Sequence, residues 1–177
     1  VNTPYWTEDF EGVTLGPSTN ERIDIVPSIP RVTTLNTDAA TTPYPNAFTH
    51  TAPTGWSIDN SGINPVAIGD HNIGVYEWEG WTFSTREFWQ PSQGSAAEFT
   101  KASGSFAIAD SDEFDDLGRN PNNETPNPNN TRPMSTVLQS PVLDISAISA
   151  DQLMLQFDSS WLPEGNQEAV VTVDFGD

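Results

Sequence analysis

Apolar and polar residues alternate along this chain in short runs bounded by Gly, Pro, Asn and Ser, and the 3.6-residue repeat of an amphipathic helix is scarce. A period of two marks a strand with one buried face. Ser105-Phe106-Ala107-Ile108-Ala109-Asp110 places Phe106 and Ile108 on one face. Gln152-Leu153-Met154-Leu155-Gln156-Phe157-Asp158 places Leu153, Leu155 and Phe157 inward, with Asp158 outward at the strand end. Ala169-Val170-Val171-Thr172-Val173-Asp174-Phe175 predicts a third strand and Thr136-Val137-Leu138-Gln139-Ser140 a fourth. Weaker alternation over 22–26, 55–59, 66–68 and 80–84 raises the expected total to seven or eight. That number suits an all-β fold, a two-sheet antiparallel β-sandwich of jelly-roll type.

Two regions interrupt the pattern. Prolines at 17, 27, 30, 43, 45 and 53 remove ladder donors and leave edge segments and long loops. Residues 118–133 carry Pro121, Pro126, Pro128 and Pro133 among asparagines and read as an exposed loop. Asn123-Glu124-Thr125 and Asn129-Asn130-Thr131 match the N-glycosylation pattern, which arises readily by chance. Phe175-Gly176-Asp177 reads as the start of a hairpin turn with no returning strand. Residues 1–177 are therefore expected to be one sandwich domain and a fragment of a longer chain, with Val1 a processed or excised N-terminus.

Composition supports a folded core. Leu, Ile, Val and Phe make up 38 of 177 residues, with six Trp and three Tyr beside them. Charge is lopsided: 25 acidic residues face 6 basic ones for a formal net charge of -19, and Lys101 is the only lysine. Such a surface repels nucleic acid and anionic membranes, collects cations, and suits a saline habitat. Cysteine is absent, which excludes disulfide scaffolds, thiol catalysis and iron–sulfur clusters, and His50 and His71 are too few for most zinc or iron enzymes. No apolar run approaches a membrane span, so no membrane insertion is expected.

The succession Asp9-Phe10-Glu11-Gly12, Gly55-Trp56, Phe106-Ala107-Ile108-Ala109-Asp110, Leu138-Gln139-Ser140-Pro141-Val142-Leu143-Asp144-Ile145 and Leu153-Met154-Leu155-Gln156-Phe157 resembles the MAM-like jelly-roll modules of bacterial secreted proteins. That group includes the cleaved-adhesin and choice-of-anchor domains. Glu79-Gly80-Trp81-Thr82-Phe83, the run 109–116 and Asp158-Ser159-Ser160-Trp161-Leu162-Pro163-Glu164 are further similar to N-terminal modules beside metallophosphoesterase domains of marine bacteria. The resemblance implies a secreted, extracellular or cell-surface module, often with a structural calcium, serving adhesion, glycan binding or anchoring.

Two constellations could carry that chemistry. The run from Asp110 to Asp116 holds five carboxylates in seven residues, and calcium takes six to eight oxygen ligands. It is not an EF-hand: Phe114 stands at the fifth ligand position, Asp115 where glycine belongs and Pro121 at the twelfth. A calcium ion would have to be assembled from distant strands, with Glu11, Asp110 and Asp112 as leading ligands and Glu8 and Asp158 behind them. The alternative is a solvated acidic loop. The second constellation is tryptophan, since an exposed indole presents an apolar face to sugar C–H groups. Most of the six tryptophans, among them Trp56 and Trp161, are expected in a core, while one or two indoles, Trp78 and Trp89, are expected to be exposed as a glycan platform, with Trp81 a further ligand-binding candidate.

Nothing selects a catalytic pair among the 25 acids, and Asp70-His71 lacks a Gly-x-Ser-x-Gly elbow. The primary reading is a non-catalytic extracellular binding or adhesion module steadied by calcium. The alternatives are an accessory N-terminal domain of a secreted metallophosphoesterase or other hydrolase, its catalytic domain beyond residue 177, and a structural or filament subunit completed by a neighbour's strand.

Overall fold

A computed structural model describes residues 3–16, 46–65, 76–89, 99–101, 103–111, 114, 134–163 and 165–176. The described elements are short strands with few helical turns, and both sheets are antiparallel. β1 (Phe48–Thr49), β3 (Trp81–Thr85) and β4 (Ser105–Ala109) form one sheet in the order β1-β3-β4. β2 (Ser57–Asp59) and β5 (Val137–Gln139) form a two-stranded sheet. A 3-10 turn, Tyr76–Trp78, precedes β3, and a single helical turn, α1 (Arg86–Trp89), follows it.

The central strand β3 is covered on both faces. Register pairs Ser84 with Phe48 and Phe106, and Thr82 with Ile108, so these side chains share one face. On that face Phe48 and Ile108 join Ala47, Ile63, Trp78, Phe88, Trp89 and Phe114 in the main core, with Tyr76, Phe99, Phe106 and Met134 packed against it. Buried hydroxyls need partners. The Thr82 hydroxyl donates to the Glu77 carbonyl at 2.7 Å, and the Ser84 hydroxyl to the Ala47 carbonyl at 2.7 Å. Phe83 points to the other face, where it is 0% exposed and its ring centroid lies 5.4 Å from that of Phe10.

Phe10 reaches that position through an unusual backbone. Its φ is 61°, left-handed for a residue with a Cβ, which costs on the order of 1–3 kcal/mol. The turn is held by the Phe10 N–H donating to Glu8 Oε1 at 2.8 Å and the Val13 N–H donating to the Phe10 carbonyl at 3.1 Å. Its ring rests between Trp56, at 5.2 Å, and Phe83. The Asp9-Phe10-Glu11-Gly12 segment is thus a strained corner that drives one aromatic ring onto the central strand.

Asn60 ties the two-stranded sheet to the approach to β3. It follows β2, donates through Nδ2 to the Glu79 carbonyl at 3.2 Å, and accepts from the Thr136 hydroxyl, just before β5, at 2.5 Å. Gly80 makes room for it: φ is +73°, and a Cβ there would clash with Asn60 Oδ1.

Four expected strands are present within a residue or two: β2, β3, β4 and β5. The expectations for 22–26 and 66–68 lie outside the described residues. Two are corrected. Segments 152–158 and 169–175 alternate in sequence but join no ladder among the described residues, and Leu153, Leu155 and Phe157 are exposed, not inward. Alternation gives a segment one apolar face, yet a strand exists only when a neighbouring backbone accepts its hydrogen bonds. Among the described residues no helix is long and apolar enough to cross a membrane.

Candidate functional site

The acidic residues expected to share one ion occupy separate places. Glu8 spans a local turn: Oε1 accepts from the Phe10 N–H, and Oε2 accepts from the Trp56 indole N–H at 3.3 Å. Glu11 Oε1 accepts from the Ser105 N–H at 3.2 Å, at the beginning of β4. The carboxylate lies over Gly104, whose φ is +60° and whose Cβ, if present, would meet Glu11 Oε1. Asp110 ends the same strand, about 16 Å further along at the usual rise per residue. An ion shared by Glu11 and Asp110 does not fit that separation. Asp158 is exposed and paired with Lys101 at 3.1 Å, on the N-terminal side of β4. Asp112 lies outside the described residues. Among the described residues no three acidic or histidine side chains converge to hold a metal ion.

Asp110 has a different role. It is buried, and Oδ2 accepts the Trp89 indole N–H at 2.5 Å. Its carbonyl accepts from the Phe114 N–H at 3.1 Å, which turns Phe114 into the core. The residue that fails as a calcium ligand in the EF-hand comparison is therefore a core residue.

The tryptophan expectation is also corrected. Trp78 is 1% exposed and Trp89 5%, so neither presents a face to solvent. The Gly80 turn and α1 account for this. Trp78 lies 5.9 Å from Phe88, while Trp89 makes edge contacts with Phe99 at 5.0 Å and Phe106 at 5.9 Å. Trp81, opening β3, is half-buried. Exposure belongs to Trp161 and to an N-terminal pair that alternation did not single out. Trp6 is 38% exposed and 6.0 Å from Trp56, tilted by 36°, and Tyr5 is 63% exposed with its hydroxyl donating to the Asp144 carbonyl at 2.6 Å. A Tyr-Trp pair between Pro4 and Thr7, outside any alternating run, was the available signal. The rings Trp6, Trp56, Phe10 and Phe83 form one file from the surface to the central strand.

His50 is a packed residue. Its ring lies 5.0 Å from Tyr76 and 5.5 Å from Phe48, and Nε2 is 3.3 Å from the Glu77 carbonyl. A carbonyl can only accept, so Nε2 carries the proton. Burial pushes the His50 pKa below its ordinary value of 6.5, with the Glu77 carbonyl bond opposing that shift. Asp70 and His71 lie outside the described residues.

A recurrent use of acid emerges from the turns. Asp9 Oδ1 accepts the Glu11 N–H at 3.0 Å, Asp59 the Ser61 N–H at 2.8 Å, Asp144 the Ser146 N–H at 3.0 Å and Asp174 the Gly176 N–H at 2.8 Å. Each carboxylate caps its own turn two residues on. Comparison with family models, with curated proteins and with solved structures finds no match for this chain.

Proposed function

We propose that this chain is a non-catalytic extracellular binding module, a β-sandwich of jelly-roll type, and that its ligand is a glycan received at Tyr5 and Trp6. The observation that carries this reading is the half-open Trp6 ring backed by Trp56, beside the exposed Tyr5 ring whose hydroxyl is already oriented by Asp144. Aromatic surface held by packing meets sugar C–H groups with little ordering cost. Glycan-array binding should fall at least tenfold, roughly the loss of one aromatic contact, in Trp6→Ala and stay unchanged in Trp161→Ala. No glycan bound by the parent chain, or equal binding by Trp6→Ala, would overturn it.

Calcium enters this reading as a steadying ion for the acidic run 110–116, independent of Glu11. Support comes from the sequence, which sets five carboxylates within the seven residues 110–116. Chelator at matched ionic strength should lower the melting temperature, and calcium but not sodium should restore it. An unchanged melting curve removes the ion from the reading.

A further inference from the structure

Among the described residues, ten of the fourteen exposed large apolar ones fall between Leu153 and Phe175: Leu153, Met154, Leu155, Phe157, Trp161, Leu162, Val170, Val171, Val173 and Phe175. A concentration of this kind marks a surface that meets something. A second, separate observation concerns the backbone. No main-chain hydrogen bond joins residues 153–157 or 169–175 to another described residue. Both segments alternate, with Leu153, Leu155 and Phe157 on one side of the first and Val171, Val173 and Phe175 on one side of the second. Two side-chain contacts lie beside them. Asp158 pairs with Lys101 ahead of β4, and Gln167 Nε2 donates to Ser111 Oγ at 2.7 Å beyond it.

These two facts together restrict the occupant. A helix satisfies its own backbone and would cover the side chains while leaving the N–H and C=O groups of both segments unanswered. An extended strand answers both needs, since its ladder bonds pair the backbone and its alternate side chains meet the apolar rows. Charge narrows the choice further. Residues 151–177 contain six acidic side chains and no Lys, Arg or His. A second copy of this chain pairing through the same segments would set acid against acid, and it would bring another net charge of -19.

We propose that segments 153–157 and 169–175 are an acceptor site for a β-strand donated by a different polypeptide, one that alternates apolar residues with lysine or arginine. Strand addition there supplies a ladder partner that these segments lack among the described residues, and the donor's basic residues lie against Glu168 and Asp174. The site is separate from Tyr5 and Trp6, so its failure leaves the glycan reading standing.

The test uses the full chain and three synthetic peptides: an alternating Val/Thr/Lys strand, its Val/Thr/Glu counterpart, and the lysine peptide methylated at alternate backbone nitrogens. Hydrogen exchange of the amides at 153–157 and 169–175 is followed by mass spectrometry, together with Trp161 fluorescence. The lysine peptide should slow exchange in both segments by about tenfold or more and shift Trp161 emission to the blue. The glutamate and methylated peptides should do neither. Val171→Pro should weaken lysine-peptide binding while the near-ultraviolet dichroism of the core tryptophans is unchanged. Protection already present in the free monomer, no response to the lysine peptide, or equal binding of the methylated peptide overturns the proposal. Concentration-dependent dimerisation that protects the same amides assigns the site to a second copy and overturns the choice of donor.

Discussion

The indole N–H of Trp89, on the single turn of α1, donates to the carboxylate of Asp110 at the end of β4, 2.5 Å away and inside the core. A buried carboxylate loses hydration, and a donor supplied by a packed ring replaces part of it without a further ordering cost. The bond fastens α1 to the far end of the sheet.

Trp89→Phe keeps most of the packing and removes this donor. Urea unfolding should show a loss of about 2 kcal/mol, the scale of taking the partner from a buried acceptor. Asp110→Asn retains an acceptor, and the double mutant should show a coupling of about 1 kcal/mol between the sites. Additive effects would mean that the bond contributes nothing of its own.

Phe10 offers a comparison that ordinary cavity arguments would get backwards. Removing its ring loses the packing between Trp56 and Phe83, so Phe10→Ala should be destabilising by about 2–4 kcal/mol. Phe10→Gly loses the same ring but accepts a φ of 61° without strain. Glycine should therefore be the milder substitution by roughly 1 kcal/mol. Alanine proving the more stable of the two would show that the left-handed turn is not held in solution.

Gly104 is tested against Glu11. Gly104→Ala drives a Cβ into Glu11 Oε1 at a φ of +60°, and a thermal shift of several degrees downward is expected. Adding Glu11→Ala should recover the part due to the clash and leave the backbone strain. No recovery in the double mutant would place the whole cost in the backbone.

His50 makes stability depend on pH. Its folded pKa is lowered by burial, so the unfolded chain binds the proton more readily. Stability is full above the ordinary value of 6.5 and declines as pH falls from there toward the lower folded value. His50→Phe should flatten that part of the profile. A decline of equal size in the variant would assign it to carboxylates instead.

Much of the framework was legible in the chain because β3, β4 and β5 alternate over enough residues to declare a face, and Phe106 and Ile108 do share one. β1 was not, since two residues cannot show a period. The burial of Trp78 and Trp89 was hidden by the same cause: a 3-10 turn and a four-residue helix redirect side chains without leaving a periodic trace. The carboxylates misled in another way. Composition counts acids, but only coordinates reveal that Glu11 answers the Ser105 N–H at one end of β4 and Asp110 an indole at the other. Segments 153–157 and 169–175 carry the strand signal in full, and what they lack is a neighbour, which no local pattern encodes.

The acidic turns change what the chain's negative charge is for. Hydrogen bonds from Ser61 and Ser146 hold the Asp59 and Asp144 carboxyls below the usual carboxylate range. Such groups add stability above their unfolded pKa and lose it as pH falls through the lower folded value. Acid would thus loosen the corners at 59–61 and 144–146, apart from any effect at His50 in its aromatic packing. A variant made less acidic should spare these two aspartates, because at those positions the charge is part of the joinery and not of the varnish.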